Sequence, residues 1–287
     1  MHGYFEGWYF RQQAEQGTVA LIPSLHTDEQ GRRSAMVQVV TEKAAFCAPM
    51  PWDSFRSDKG PLHIALGGCT FGAEGISLDL HADGLCAKGR LAFGPLSPVR
   101  YDIMGPFRFV PSMECRHSIF SMAHEVTGNL RINGQEYLFE SAPGYIEGDR
   151  GRSFPRRYMW TQATWRGQGL CSLVLSVADI PFAMAHFTGV IGAVLLDGRE
   201  IRLATYLGAR AVRERNGEIT VRQGKYVFSA KRLDGGDVTL HAPVLGSMSR
   251  RIREAPSCRV RYRLFRGGET LLDRTQDNAG FEWEYGK

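Results

Sequence analysis

No two of the six cysteines are spaced as C-x-x-C, and positions 47, 69, 86, 115, 171 and 258 outline neither a zinc site nor a disulfide framework. Reduced thiols in a cytoplasmic protein are the expectation. The opening MHGYFE lacks the basic start and apolar core of a signal peptide, so export is not expected. G-x-S-x-G is missing, and with it the esterase-type nucleophile turn. GGCTFG at 67–72 lacks the Lys-Ser/Thr ending of a phosphate loop and reads as a strand bend. Cys115 and His117 would share a strand face, but no H-x-H or H-x-x-x-H pattern accompanies them, so neither a metal nor a cofactor is expected. Charge of one sign is scarce as well. The 35 basic residues exceed the 30 acidic ones by five, too little to imply nucleic acid, and no nucleic-acid-binding motif adds to it.

Long helical periods are also absent, and what fills the 287 residues is β signal. There are 33 glycines, 16 Phe, 10 Tyr and 5 Trp, a mixture suited to pleated strands joined by tight turns. Asn133-Gly134 predicts a type I′ hairpin, and Asn216-Gly217 and Asp234-Gly235-Gly236 mark further turns. From 170 to 196 the only formal charge is Asp179. Length alone would permit a membrane span, but Asp179-Ile180-Pro181 interrupts the run, and an Asp near its centre would cost ~2.5–3.5 kcal/mol. Two buried strands, 172–177 and 188–196, are expected, with a turn or short helix over 180–187. A second short helix is expected at 52–57.

The predicted fold is all-β, with two halves of about eight strands, each a small barrel or curved sandwich. The division is placed near residue 125, giving 1–125 and 126–287. At 258–265, Cys258, Val260, Tyr262 and Leu264 alternate with Arg259, Arg261, Arg263 and Phe265. Period 2 puts the arginines on one face, either as a solvated exterior or, joined by Arg250, Arg251 and Arg253, as a surface for the inner face of an anionic membrane.

Three segments carry candidate chemistry. In GYFEGWYF at 3–10, Tyr4, Glu6 and Trp8 share one strand face, and a carboxyl between two aromatics would be pushed toward its neutral form. In GYIEGDRGRSFP at 144–155, Tyr145, Glu147 and Asp149 share a face. Two carboxyls that close raise one another, whereas Arg150, Arg152, Arg156 and Arg157 would lower both. In YMWTQATW at 158–165, Tyr158, Trp160 and Gln162 share a face, placing an amide within an aromatic wall.

In this order the three segments resemble the tocopherol cyclase family, most specifically in GYIEGDRGRSFPRRYMWTQATW at 144–165. PSMECRHSIFSMAHEVTGNLRING at 111–134, IRLATYLGA at 201–209 and AGFEWEY at 279–285 add to the likeness. The plant-type motif has Trp where Arg150 stands here, so that part of the site differs. The resemblance implies a lipocalin-like architecture and closure of a prenylated hydroquinone to a chromanol without cofactor or metal. Carotenoid hydratases, as distant relatives, imply hydration of an isoprenoid C=C bond as an alternative. A carrier that keeps the pocket but not the chemistry is another.

Such a reaction sets demands that residue types can meet. Protonating an isolated alkene needs a carboxylic acid held neutral in an apolar site. The cation formed is stabilised by aromatic faces, each worth ~0.5–2 kcal/mol. Prior orientation of the attacking oxygen contributes ~7–11 kcal/mol. Glu147 is the first candidate for the acid, then Asp149, then Glu6. Trp8, Trp160, Tyr145 and Tyr158 are candidates for the wall, and with Tyr4 they would contact substrate. Gln162 or His117 would orient the phenol, and Arg152 would set the charge of the acid pair. The expected partner is an apolar small molecule.

Overall fold

The computed structural model describes residues 3–57, 62–111, 113–182, 185–215 and 217–285. Nearly all of it is antiparallel strand in two sheets. The first contains β1 (Tyr4–Ala14), β2 (Gly17–Thr27), β3 (Arg33–Thr41), β4 (Ala45–Met50), β5 (Arg56–Ser57), β6 (His63–Leu66), β7 (Cys69–Gly72), β8 (Gly75–Ala82), β9 (Leu85–Phe93), β10 (Cys115–Ile132) and β11 (Gln135–Gly151). The second contains β12 (Tyr158–Arg166), β13 (Leu170–Phe182), β14 (Ala185–Leu196), β15 (Arg199–Ala204), β16 (Arg210–Arg215), β17 (Glu218–Gln223), β18 (Tyr226–Asp234), β19 (Val238–Val244), β20 (Ser247–Arg266) and β21 (Glu269–Trp283).

Turn chemistry sets these pairings. Asn133 and Gly134 both take positive φ, 47° and 84°, and close β10 onto β11 as the type I′ expectation requires. Asp197 and Gly198, at 47° and 75°, do the same between β14 and β15. In each sheet the first strand of the half pairs with its last: β1 lies beside β11, and β12 beside β21. The all-β, two-halved, lipocalin-like architecture is therefore present.

The halves divide later than expected. A boundary at 125 would cut β10, which pairs with β11 on both sides of that position and with β9 immediately beyond it. The chain passes from one sheet to the other between Gly151 and Tyr158. The segment at 52–57 forms only a 3-10 turn, Trp52–Ser54. No helix forms from Ile180 to Phe182 or from Ala185 to Phe187, where β13 and β14 pair instead; residues 183 and 184 lie outside the described residues. Asn216 lies outside them too. Among the described residues no helix is long and apolar enough to cross a membrane. The arginine face at 259–263 is exposed or half-exposed, but Arg259 pairs with Asp234 and Asp277, and Arg261 with Asp273. That row is largely neutralised.

Each half has its own apolar core. Phe10, Leu21, Phe71 and Phe139 fill the first, and Phe228, Tyr262, Leu264 and Phe281 fill the second, all essentially inaccessible. Burial of such side chains contributes ~1.5–3 kcal/mol each. A third cluster joins the halves, with Tyr9, Met104, Tyr145, Tyr158, Trp160 and Ile252 among its members. Strand β1 serves both sides: Trp8 and Phe10 belong to the first core, whereas Tyr9 belongs to the joining cluster.

Arg11, also on β1, is buried and reaches across to the second sheet. Its guanidinium donates to Gln162 Oε1 at 3.1 Å, to the Pro256 carbonyl at 2.9 Å and to the Asn278 carbonyl. Removing it leaves two buried acceptors and one part-buried acceptor without that donor. Arg11→Met should therefore lower the unfolding free energy in urea by ~3–5 kcal/mol. A loss below ~1 kcal/mol, the scale of one ordinary hydrogen bond, would mean that apolar packing alone holds the sheets together.

Candidate functional site

Strand register places a line of side chains across the first sheet. Ser24, Gly7, Asp149 and His117 are successive cross-strand partners on β2, β1, β11 and β10. Two residues along, His26, Phe5, Gly151 and Cys115 form a parallel line. Two residues the other way, Tyr9 lies opposite Glu147. Period 2 turns all three lines to the same face. Gly7 leaves a gap between Ser24 and Asp149, because a Cβ there would stand 3.3 Å from that of Ser24.

The second sheet answers with a line of its own. Ile191, Ser176, Trp160, Glu282 and Glu254 are successive partners across β14, β13, β12, β21 and β20. Between the two faces lies a cavity of about 170 Å3. Phe5, Trp8, Tyr9, Phe154, Tyr158 and Trp160 give it aromatic walls, and Ile22, Met104, Leu240 and Ile252 add aliphatic ones. Neither half encloses this space alone.

Glu147 is 6% exposed and sits in the aromatic wall. It accepts hydrogen bonds from Tyr145 Oη at 2.5 Å and Trp160 Nε1 at 3.1 Å. Burial raises its pKa, His117 pulls it down and Asp149 raises it again, leaving it pushed up to about 7. His117 lies between the two acids. Its Nδ1 is 3.0 Å from Asp149 Oδ1, and its Nε2 is 3.4 Å from Glu147 Oε2 without hydrogen-bond geometry. Burial alone would lower the His117 pKa, but the charges of Asp149 and Glu147 overcome it and push it up to about 9. The imidazolium is thus the form present near neutrality.

His117, Glu147 and Asp149 could each offer a ligand atom to a cation, since three such atoms lie within 4.8 Å of one another. Tyr145 and Trp160 already donate to Glu147 Oε2, and Cys115 Sγ approaches Asp149 Oδ1 at 3.4 Å. The donor bonds and the charge on His117 suit a proton-holding site better than a metal cage, because a ligating imidazole must be neutral.

Of the residues expected from sequence, Glu147, Asp149, His117, Trp8, Tyr158 and Trp160 meet at the cavity. Tyr145 lies behind it and supports Glu147. Four expectations are corrected. Glu6 is outside the lining and accepts a hydrogen bond from Tyr4, itself 41% exposed; both side chains of β1 point outward at this end. Arg152 is exposed and meets its neighbours through its backbone, so it does not set the charge of the acid pair. Gln162 is fully buried but away from the lining, accepting from Arg11 and donating to Thr164 Oγ1 at 2.7 Å.

Glu254 and Glu282 are the acids missed. Glu254 is 0% exposed, lines the cavity and accepts from Tyr9 Oη at 2.5 Å; Glu282 lines it too and accepts from Tyr158. The signal for Glu254 was present: it shares phase with Ile252, opposite Arg251 and Arg253, so period 2 sets a carboxyl on the apolar face. His26 and Ser24 are missed as well. Burial holds the His26 pKa down at about 4, keeping the ring neutral. Its Nε2, Ser24 Oγ, His117 Nε2 and Glu254 Oε2 are buried without hydrogen-bond partners, and all four belong to lining residues.

No curated protein matches the sequence. Solved structures share the fold. A protein named AttH from Nitrosomonas europaea aligns with 99% of this chain and 93% of its own, at 10% identity and a TM-score of 0.52. Kievitone hydratase from Nectria haematococca aligns with 98% of this chain and 89% of its own, at 6% identity and a TM-score of 0.51. CghA, crystallised with Sch210972, aligns with 99% and 89%, at 12% identity and a TM-score of 0.60. Residues 90–179, the stretch bearing His117, Glu147, Asp149, Tyr158 and Trp160, match the family model described as tocopherol cyclase-like.

Proposed function

We propose that the cavity between the sheets closes a prenylated hydroquinone to a chromanol by proton transfer alone. The observation that carries this reading is a buried carboxyl, Glu147, poised near neutrality in an aromatic wall. The alkene of the prenyl chain takes up a proton, and the resulting tertiary cation is stabilised by the faces of Trp8, Tyr9 and Trp160. The phenol oxygen then attacks and gives up its own proton.

Glu147 fits the second proton transfer. Two donated hydrogen bonds and the neighbouring imidazolium favour its carboxylate, the form that accepts a proton from the phenol. Ser24 Oγ and neutral His26 Nε2 offer hydrogen bonds to the second ring hydroxyl. A cavity of about 170 Å3 is close to the ~150 Å3 that encloses a benzene ring, so it suits the reacting end while the isoprenoid tail leaves by the mouth.

The fold shared with kievitone hydratase supports a second reading, in which water captures the same cation. The product separates the two: ring closure leaves the mass unchanged and hydration adds one water. A carrier would bind the probe and yield neither.

With a geranylated hydroquinone as probe, Glu147→Gln should lower kcat about 10²–10⁴-fold while binding, followed by tryptophan quenching, persists. Unchanged turnover would remove Glu147 from the chemistry. In the parent protein kcat/KM should rise as pH increases through about 7, because Glu147 must lose its proton to act as base; the variant should lack that limb. Dialysis against a chelator should leave turnover intact. Loss restored by a divalent cation would instead assign His117, Glu147 and Asp149 to a metal.

A further inference from the structure

The cavity has a second group of acids, on the wall facing Glu147, of which only Glu282 falls in a segment of the sequence likeness. Glu254 and Glu282 are direct cross-strand partners on β20 and β21. Each accepts a hydrogen bond from a different tyrosine, Glu254 from Tyr9 and Glu282 from Tyr158. Glu254 Oε2 is buried and has no partner. The cations close by are committed elsewhere. Arg11 donates to Gln162, Pro256 and Asn278, and Arg250 donates to Glu284 and to the carbonyls of Pro155 and Arg156.

The two walls therefore differ in chemistry. On the first, His117 supplies a positive charge between Glu147 and Asp149, and charge favours carboxylate. On the second, two carboxyls adjoin in an apolar setting with phenols as their hydrogen-bond partners and Arg11 acting only through space, and joint ionisation is disfavoured. Burial, followed by the nearby charge of Glu254, raises Glu282 well above the usual carboxylate range; burial raises Glu254 as well, against Tyr9 and Arg11. A pair in this state holds at least one proton, and both of its residues line the substrate space.

We propose that Glu254 and Glu282 form the proton-donating pair of the reaction, opposite Glu147 as the acceptor. This rests on the proton-transfer reading above and divides its two steps between two walls. The O–H bond of the pair breaks as the alkene π electrons form a new C–H bond, leaving a tertiary cation and one carboxylate. The phenol oxygen then forms the C–O bond, and its proton passes to the Glu147 carboxylate. One proton leaves the second wall and one arrives at the first, so the cycle closes when Glu147 releases a proton and the pair takes one up through the open mouth of the cavity. Tyr9 and Tyr158 are positioning residues, each fixing one carboxyl oxygen. Tyr9 also lies opposite Glu147 in the β1–β11 register, and Trp160, which donates to Glu147, lies opposite Glu282.

The donor can be tested apart from ring closure. The dimethyl ether of the geranylated hydroquinone has no phenol proton and cannot close, but its alkene can still be protonated and lose a proton again. In D2O the parent protein should place deuterium in the prenyl chain of this probe. Glu254→Gln and Glu282→Gln should each lower that exchange at least about 100-fold, with quenching of tryptophan by the probe and the melting profile confirming a folded site. Glu147→Gln should fail to close the free hydroquinone yet still exchange the ether. Exchange that survives in both Glu254→Gln and Glu282→Gln and disappears in Glu147→Gln would overturn the assignment and make Glu147 the donor. If the parent protein neither exchanges the ether nor closes the free hydroquinone, the proton-transfer reading fails and this assignment falls with it. Closure without dependence on Glu254 or Glu282 overturns the assignment alone.

Discussion

Desolvation of carboxyl groups is the constraint on which the site depends. In water Glu147, Glu254 and Glu282 would all be ionised at neutral pH and useless as acids toward a carbon base. Placed between two apolar faces, they are raised first by burial and only secondarily altered by their neighbours. Which neighbours they have then sets their roles. An imidazolium and an indole N–H favour the anion at Glu147. Phenols and a second carboxyl favour retention of a proton by the opposite pair. On the proposed reading, the same physical cost, met with different partners, provides an acid and a base on opposite walls.

That separation exists because the site is built between sheets rather than inside one. A small barrel can enclose a ligand in its own lumen, but here both interiors are occupied by side chains such as Phe71 and Phe228. The remaining space lies where outward faces of the two halves meet, and each half brings its own row of acids. Arg11 holds the faces in register by bonding across them, and Gly7 keeps the floor of the first sheet open. Strand β1 serves both purposes: Phe5, Gly7 and Tyr9 line the cavity, Phe10 anchors the first core, and Trp8 takes part in both.

Period 2 made much of this legible in the sequence. Tyr145, Glu147 and Asp149 were placed on one face, and they are; Cys115 and His117 were placed together, and both reach Asp149. Asn133-Gly134 located a hairpin that the dihedral angles reproduce. Long-range pairing was not legible, because alternation says which residues share a face but not what that face meets. Gln162 has the right phase for the cavity, yet it lies opposite Arg11 rather than beside the opening. Arg152 follows the acids closely in sequence, but the chain has already left the sheet there, so proximity along the chain brought no contact. Glu254 was hidden among arginines whose charge drew attention to the exposed face of the same strand. The boundary near 125 failed for a related reason: an 18-residue strand, β10, carries no internal mark of where one half ends.

Cavity size and polar content together limit what the site can accept. A space of about 170 Å3 that opens to solvent has room inside for a ring or a folded isoprene unit, with any longer chain extending outward. A purely apolar occupant would leave Ser24 Oγ, His26 Nε2 and Glu254 Oε2 buried without partners, at ~1–3 kcal/mol each. An occupant with hydroxyls at one end would relieve that penalty. Those unmet hydrogen bonds favour a small hydroxylated aromatic head with its tail outside over a plain hydrocarbon, which would fill the same volume and leave every one of them unmade.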